Sequence, residues 1–105
     1  MVLAGAFTLG FDSAIATTLN MFPSFSLNIL EAVEKGDTVK AKAEQRKLTA
    51  AIFAVTRNGG WVATMKAVMN LLTPINVGEP RPPLVPLTPS QIQEMKEELK
   101  GLKLL

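Results

Sequence analysis

The chain has 105 residues, 48% of them hydrophobic and only 19% charged, an apolar surplus at a length where a single core hides well under three quarters of the unfolded surface. Its 11 basic and 9 acidic residues leave a net charge of +2, which is too little to argue for nucleic acid, and no helix carries a basic stripe. Zero cysteine, zero histidine and zero tyrosine exclude disulfides, thiolate nucleophiles, Cys/His metal sites and the usual neutral-pH proton shuttle, so chemistry here falls to lysine, carboxylates, hydroxyls, amides and arginine.

The first element is an apolar run from Val2 to Leu9. No Lys or Arg precedes it and Asp12 interrupts the stretch beyond it, so it reads as the tail of a packed helix stopped by Gly10, not as a signal peptide. No window of about 18 residues is free of polar or helix-breaking residues, so no membrane span is expected. From about Ser13 to Leu19 the sequence is small and β-branched, its end is polar, and a helix start comes directly after it at Phe22-Pro23. That is the look of the last βα unit of a (β/α)8 barrel at its open mouth. A whole barrel of this kind needs roughly 250 residues, so the expected fold class is a fragment of a (β/α)8 TIM barrel: the last strand plus C-terminal helices, mostly α in this chain.

Helical spacing then takes over. Phe22, Phe25, Ile29 and Val33 mark one helix, with Gly36 placed for a left-handed cap and Asp37 for capping the next. Over 38–57 the stripe Ala41, Leu48, Ala51, Ile52 and Val55 lies along one side, while Lys40, Lys42, Glu44, Arg46 and Lys47 are assigned to solvated faces. Asn58-Gly59-Gly60 breaks that helix, and Trp61 to Leu72 forms another with Met65, Val68, Met69 and Leu72 together. Pro74 ends it. Pro80, Pro82, Pro83, Pro86 and Pro89 stiffen an extended strap, whose apolar Ile75, Val77, Leu84, Val85 and Leu87 are expected to lie against other elements. The last helix starts at a capping box, Thr88 with Pro89 and Gln91, and buries Ile92, Met95, Leu99 and Leu102.

Strands of a parallel barrel aim their carboxyl ends at the active site, which singles out Thr17, Thr18 and Asn20. A threonine hydroxyl both donates and accepts, and helix-initiating N–H groups beyond Asn20 favour an anion. The same residues also fit a purely structural role, threonine as a strand former and Asn20 as a turn cap. Lys66 sits among Met65, Ala67, Val68 and Met69, as a desolvated imine lysine would, but its mid-helix place points to snorkelling and no catalytic role is assigned to it. Arg81, between prolines, is the expected anchor of the strap, and the cluster Glu94, Lys96, Glu97, Glu98 and Lys100 is a solvated helix face.

Four spaced segments in order, Leu9 to Asn20, Glu31 to Asp37, Lys66 to Met69 and Gly78 to Leu84, resemble the carboxyl-terminal third of the dihydrodipicolinate synthase/N-acetylneuraminate lyase family of class I aldolases, over nearly all of residues 3 to 100. The resemblance implies a barrel enzyme whose lysine forms an imine with pyruvate, reversibly cleaving N-acetylneuraminate to N-acetylmannosamine and pyruvate. It implies no cofactor and no metal, a small-molecule sugar acid substrate, a cytoplasmic homotetramer, and no nucleic-acid or membrane partner. In the family's Gly-Ser-Thr-Tyr-Asn motif, Ala16 stands at the glycine, Thr17 at the serine that lines the sugar pocket, Thr18 at the threonine, Leu19 at the tyrosine and Asn20 at the asparagine. Thr17 is therefore the expected substrate-binding residue, with Ala16, Thr18 and Asn20 as pocket lining. Ala16 and Leu19 depart from the motif.

The same resemblance makes residues 1–36 the end of helix seven, strand eight and helix eight, and 37–105 a C-terminal helical extension, together a single C-terminal segment of an aldolase barrel. The imine lysine, the catalytic tyrosine and the carboxylate-binding threonines would all precede residue 1, so no catalytic residue is expected in this chain and the chain alone is expected to be inactive. Two other readings remain open: a dihydrodipicolinate synthase-like or other pyruvate aldolase, and a non-catalytic, truncated helical interaction protein.

Overall fold

The computed structural model describes all 105 residues and contains five α-helices, one 3-10 turn and no β-strand. The chain divides into two compact units, Met1–Ala50 and Ala51–Leu105.

In the first unit α1 (Leu3–Thr8) is followed by a stretch without regular structure, a 3-10 turn (Thr17–Asn20), α2 (Pro23–Glu34) and the start of α3 (Thr38–Thr56). The glycine stops are as expected. Gly10 at φ 91° and Gly36 at φ 70° take up the left-handed conformation that a side chain resists, and beyond them the N–H groups of Phe11 and Asp37 reach back to the carbonyls of Ala6 and Ala32. Asp37 Oδ1 accepts from Lys40 N at 2.9 Å, capping α3. Helix α2 packs against both α1 and the 3-10 turn, and Leu3, Phe22, Ile29 and Ala32 are buried. Gln45 ties the amino terminus down: its Oε1 accepts from Ala4 N and its Nε2 donates to Met1 O, each at 3.0 Å, so an otherwise open α1 start is satisfied by a side chain 41 residues away.

The strand expected at Ser13 to Leu19 does not form. Residues 11–16 run without regular structure, extended at Ala16 (φ −157°, ψ 145°), and the chain then tightens into a 3-10 turn closed by Leu19 N donating to Ala16 O at 3.1 Å. Strand identity is a property of pairs, since the ladder satisfies the backbone, and this chain offers the segment no partner.

Glu44 is a second correction. Its helical position suggested a solvated face, yet the residue is 7% exposed, with Oε1 accepting from Lys47 Nζ at 2.6 Å and Oε2 from Asn28 Nδ2 at 3.3 Å. The bond from Lys47 holds the carboxyl below the usual carboxylate value, against the opposing push of burial, with Asn28 assisting. A depressed folded-state value means stability that is present in full above the ordinary carboxylate range, about pH 4 to 5, and lost as pH falls from there through the lowered folded-state value. Glu44→Gln is thus expected to flatten the acid limb of a thermal-midpoint profile between pH 7 and 3. An unchanged acid slope would remove Glu44 from the set of stabilising carboxylates.

The second unit holds the end of α3, α4 (Trp61–Leu72), the strap and α5 (Pro89–Gly101). Asn58 closes α3 by donating its Nδ2 to Ala54 O at 3.1 Å. The capping box of α5 is present: Thr88 Oγ1 accepts from Gln91 N, and Thr88 N donates to Gln91 Oε1 at 2.8 Å. Val55, Val68, Met95 and Leu99 are fully buried, while Leu102, expected in the same stripe, is 41% exposed because α5 ends at Gly101. Arg57 Nε meets Glu98 Oε1 at 2.8 Å, so one member of the acidic α5 face has an ion partner outside its helix.

Candidate functional site

Two places in the chain gather polar groups beside apolar walls, one in each unit. The first is the 3-10 turn. Thr17 and Asn20 are both exposed on it, and Asn20 Nδ2 donates to Thr17 O at 3.2 Å, so the amide closes the turn that carries the Thr17 hydroxyl. Asn20 does not cap α2, whose N-cap position is Phe22 and has no side-chain cap. Thr18 points the other way: it is 2% exposed and its hydroxyl donates to the Met1 sulfur at 3.5 Å. Ala14 and Ala16 are half-buried while Ile15 and Thr17 are exposed, so the period-two alternation of a strand survives without the strand. The structure therefore brings Thr17 and Asn20 together at the surface, with half-buried Ala16 beside them, and turns Thr18 inward.

The second place is a cleft of about 180 Å³ in the second unit. Its α4 wall is Ala63, Lys66, Ala67, Asn70 and Leu71, spaced i, i+3, i+4, i+7 and i+8 on one helical face. The strap and α5 close it with Gly78, Glu79, Pro86, Leu87 and Ile92. Lys66 Nζ donates to Val77 O at 2.7 Å and Asn70 Oδ1 accepts from Val77 N at 2.9 Å, so one turn of α4 holds both polar backbone groups of a single strap residue.

This overturns the assignment of the strap anchor to Arg81, which lies exposed; the half-buried Lys66 does that work. Lysine is suited to it because its long stem crosses apolar surface before presenting an ammonium. The strap also lies less deeply than expected. Ile75, Leu84 and Val85 are exposed, Val77 and Leu87 are half-buried, and Pro80 is its buried residue. No group of three or more acidic side chains could hold a metal ion, and no helix is long and apolar enough to cross a membrane.

The sequence profile of the dihydrodipicolinate synthetase family matches residues 1–102. The chain belongs to that family. Among the family's curated members, the N-acetylneuraminate lyase of Rattus norvegicus is 32% identical over 103 residues, covering 98% of this chain and 32% of that protein. The 4-hydroxy-tetrahydrodipicolinate synthase of Archaeoglobus fulgidus is 29% identical over 97 residues, covering 92% of this chain and 33% of that one. The solved structure of Proteus mirabilis N-acetylneuraminate lyase superposes with a TM-score of 0.82 at 32% identity, over 95% of this chain and 33% of that chain. The chain thus spans about a third of the length of the curated relatives it matches. Identities of 32% and 29% to relatives with different names fix the dihydrodipicolinate synthetase family without separating its branches.

Proposed function

We propose that this chain is the carboxyl-terminal segment of a pyruvate-dependent class I aldolase barrel, and that it carries the segment that pairs as the last strand in the complete barrel, with the helical tail, while the imine-forming lysine lies in the preceding two thirds. The observation that supports this reading most is the 3-10 turn. An extended, alternating stretch leads into an exposed Thr17 hydroxyl next to Asn20, immediately before α2, at the position where the family resemblance sets the sugar-lining residue. Among family reactions, cleavage of N-acetylneuraminate is favoured by a narrow margin of likeness: 32% identity over 98% of the chain to the rat lyase against 29% over 92% to the Archaeoglobus fulgidus synthase, together with the superposition on the Proteus mirabilis lyase.

In this reading Thr17 binds a hydroxyl or carboxylate of the sugar acid, Asn20 keeps the turn closed beneath it, and Ala16 brings the backbone alongside. Thr18 acts from behind, buried, as a packing residue. Lys66 takes no part, since its ammonium is engaged by the Val77 carbonyl in the other unit. The complete enzyme would be a cytoplasmic homo-oligomer, a tetramer by resemblance.

The test is a chimera in which this chain replaces the matching third of the Proteus mirabilis lyase. It is expected to release pyruvate from N-acetylneuraminate in an assay coupled to lactate formation. Thr17→Val in that chimera should leave pyruvate binding intact and weaken sugar handling by about 5- to 150-fold, the effect of leaving a ligand group without its partner at roughly 1 to 3 kcal/mol. A folded chimera that binds pyruvate and cleaves other 2-oxo acids but not N-acetylneuraminate would move the chain to another branch. Kinetics untouched by Thr17→Val would take that residue out of the pocket.

A further inference from the structure

The cleft between α4, the strap and α5 holds an arrangement that the aldolase reading leaves unused: a lysine and a glutamate line one small, largely apolar space without pairing to each other. Lys66 and Glu79 both line it, yet neither belongs to any of the chain's ion pairs. Lys66 spends one of its three donors on Val77 O, and Asn70 spends only its Oδ1 on Val77 N, which leaves its amide N–H groups without a protein partner. Between these ends the walls are Ala63, Ala67, Leu71, Pro86, Leu87 and Ile92.

We infer that this cleft is a binding site for a small zwitterion with an uncharged aliphatic body, an α-amino acid of about leucine size. Its carboxylate is received by Lys66 and the Asn70 amide, its ammonium by Glu79, and its side chain by the alanine, proline and leucine walls. The volume agrees with that class. About 180 Å³ is slightly more than the ~150 Å³ cavity that accepts benzene, room for about seven non-hydrogen atoms, which encloses a leucine-sized aliphatic body and leaves the charged end groups at the rim where Asn70 and Glu79 are exposed. Charge selects as well: a plain carboxylate would leave Glu79 facing its apolar part, and a plain amine would do the same to Lys66, whereas a zwitterion answers both. The clasp on Val77 supplies rigidity, because the same two α4 side chains that receive the ligand also fix the strap that carries Glu79.

Equilibrium dialysis of the full chain against radiolabelled L-leucine tests this and tolerates any self-association of the protein. Saturable binding near one equivalent per chain is expected, at a dissociation constant of about a millimolar or below, as suits a ligand of this size. N-acetyl-L-leucine, which lacks the ammonium, and L-leucinamide, which lacks the carboxylate, should each compete at least about tenfold less well than L-leucine. Glu79→Gln, at an exposed position whose side chain takes part in no hydrogen bond or ion pair of the chain, should weaken binding to a similar degree. Absence of saturable binding up to about 20-fold above that concentration range overturns the proposal, and so does equal competition by the two blocked analogues, which would mean an apolar slot without charge recognition.

Discussion

Prepared alone, the 105-residue chain is expected to be helical by circular dichroism and to run as oligomers or aggregates in sedimentation. The cause is local to residues 9–16. Leu9 is 82% exposed, Phe11 63% and Ile15 fully so at 103%, and within the same segment the N–H groups of Asp12 to Ala16 meet no backbone or side-chain acceptor in the chain. A segment without regular structure that has open N–H donors and exposed apolar side chains is a template for pairing with another chain, and nothing blunts it except Asp12. Placing lysine at both Phe11 and Ile15 keeps the helices and charges the template, so the double variant should shift markedly toward monomer. A wild-type chain that sediments as a single monomeric species and melts sharply would show instead that the two units need no further polypeptide, which favours the non-catalytic interaction protein.

The second large effect concerns the support under the Thr17–Asn20 turn. Ile29 is fully buried on α2, the helix that packs on both α1 and that turn. Ile29→Ala removes that packing and leaves a cavity, at a cost of about 2 to 5 kcal/mol. That is of the order of the whole stability of a unit of some 50 residues, at roughly 0.05 to 0.15 kcal/mol per residue. In the monomeric double-lysine background the variant should lose helical ellipticity at 25 °C, where Leu27→Ala, at a residue 64% exposed on the same helix, should change the urea midpoint little. Equal effects of the two substitutions would contradict the packing described for α2.

What the sequence disclosed about this fold is what is local in the chain. Gly10, Gly36, the Asp37 cap, the Asn58-Gly59-Gly60 break and the Thr88-Gln91 capping box act within a few residues of themselves, so their consequences are legible in order and the helix bounds come with them. The segment Ser13 to Leu19 failed as a strand because a strand is a property of pairs and no element of this chain pairs with it; its alternation persists, at Ala14, Ile15, Ala16 and Thr17, as the part of strand character that sequence alone controls. Glu44 and Lys66 depart from their helical-wheel positions for one reason. Each sits where a wheel assigns solvent, and each is drawn to a partner on another element, Asn28 for Glu44 and the Val77 carbonyl for Lys66. The α4 face that forms the cleft is visible in the sequence as spacing, but its polar members gain a purpose only with the strap lying across them. Thr17 and Asn20 came from the family motif and from strand direction together, and the structure adds that the Asn20 side chain closes the turn carrying the Thr17 hydroxyl.

The claim that this chain lends a pocket wall to an imine chemistry seated elsewhere is tested most directly by borohydride trapping with pyruvate followed by intact-mass and peptide analysis. The chain alone should acquire no adduct, and the chimera with the Proteus mirabilis lyase should acquire one, mapped to a lysine outside these 105 residues. A single stoichiometric adduct on the isolated chain, at Lys66 in particular, would contradict that claim.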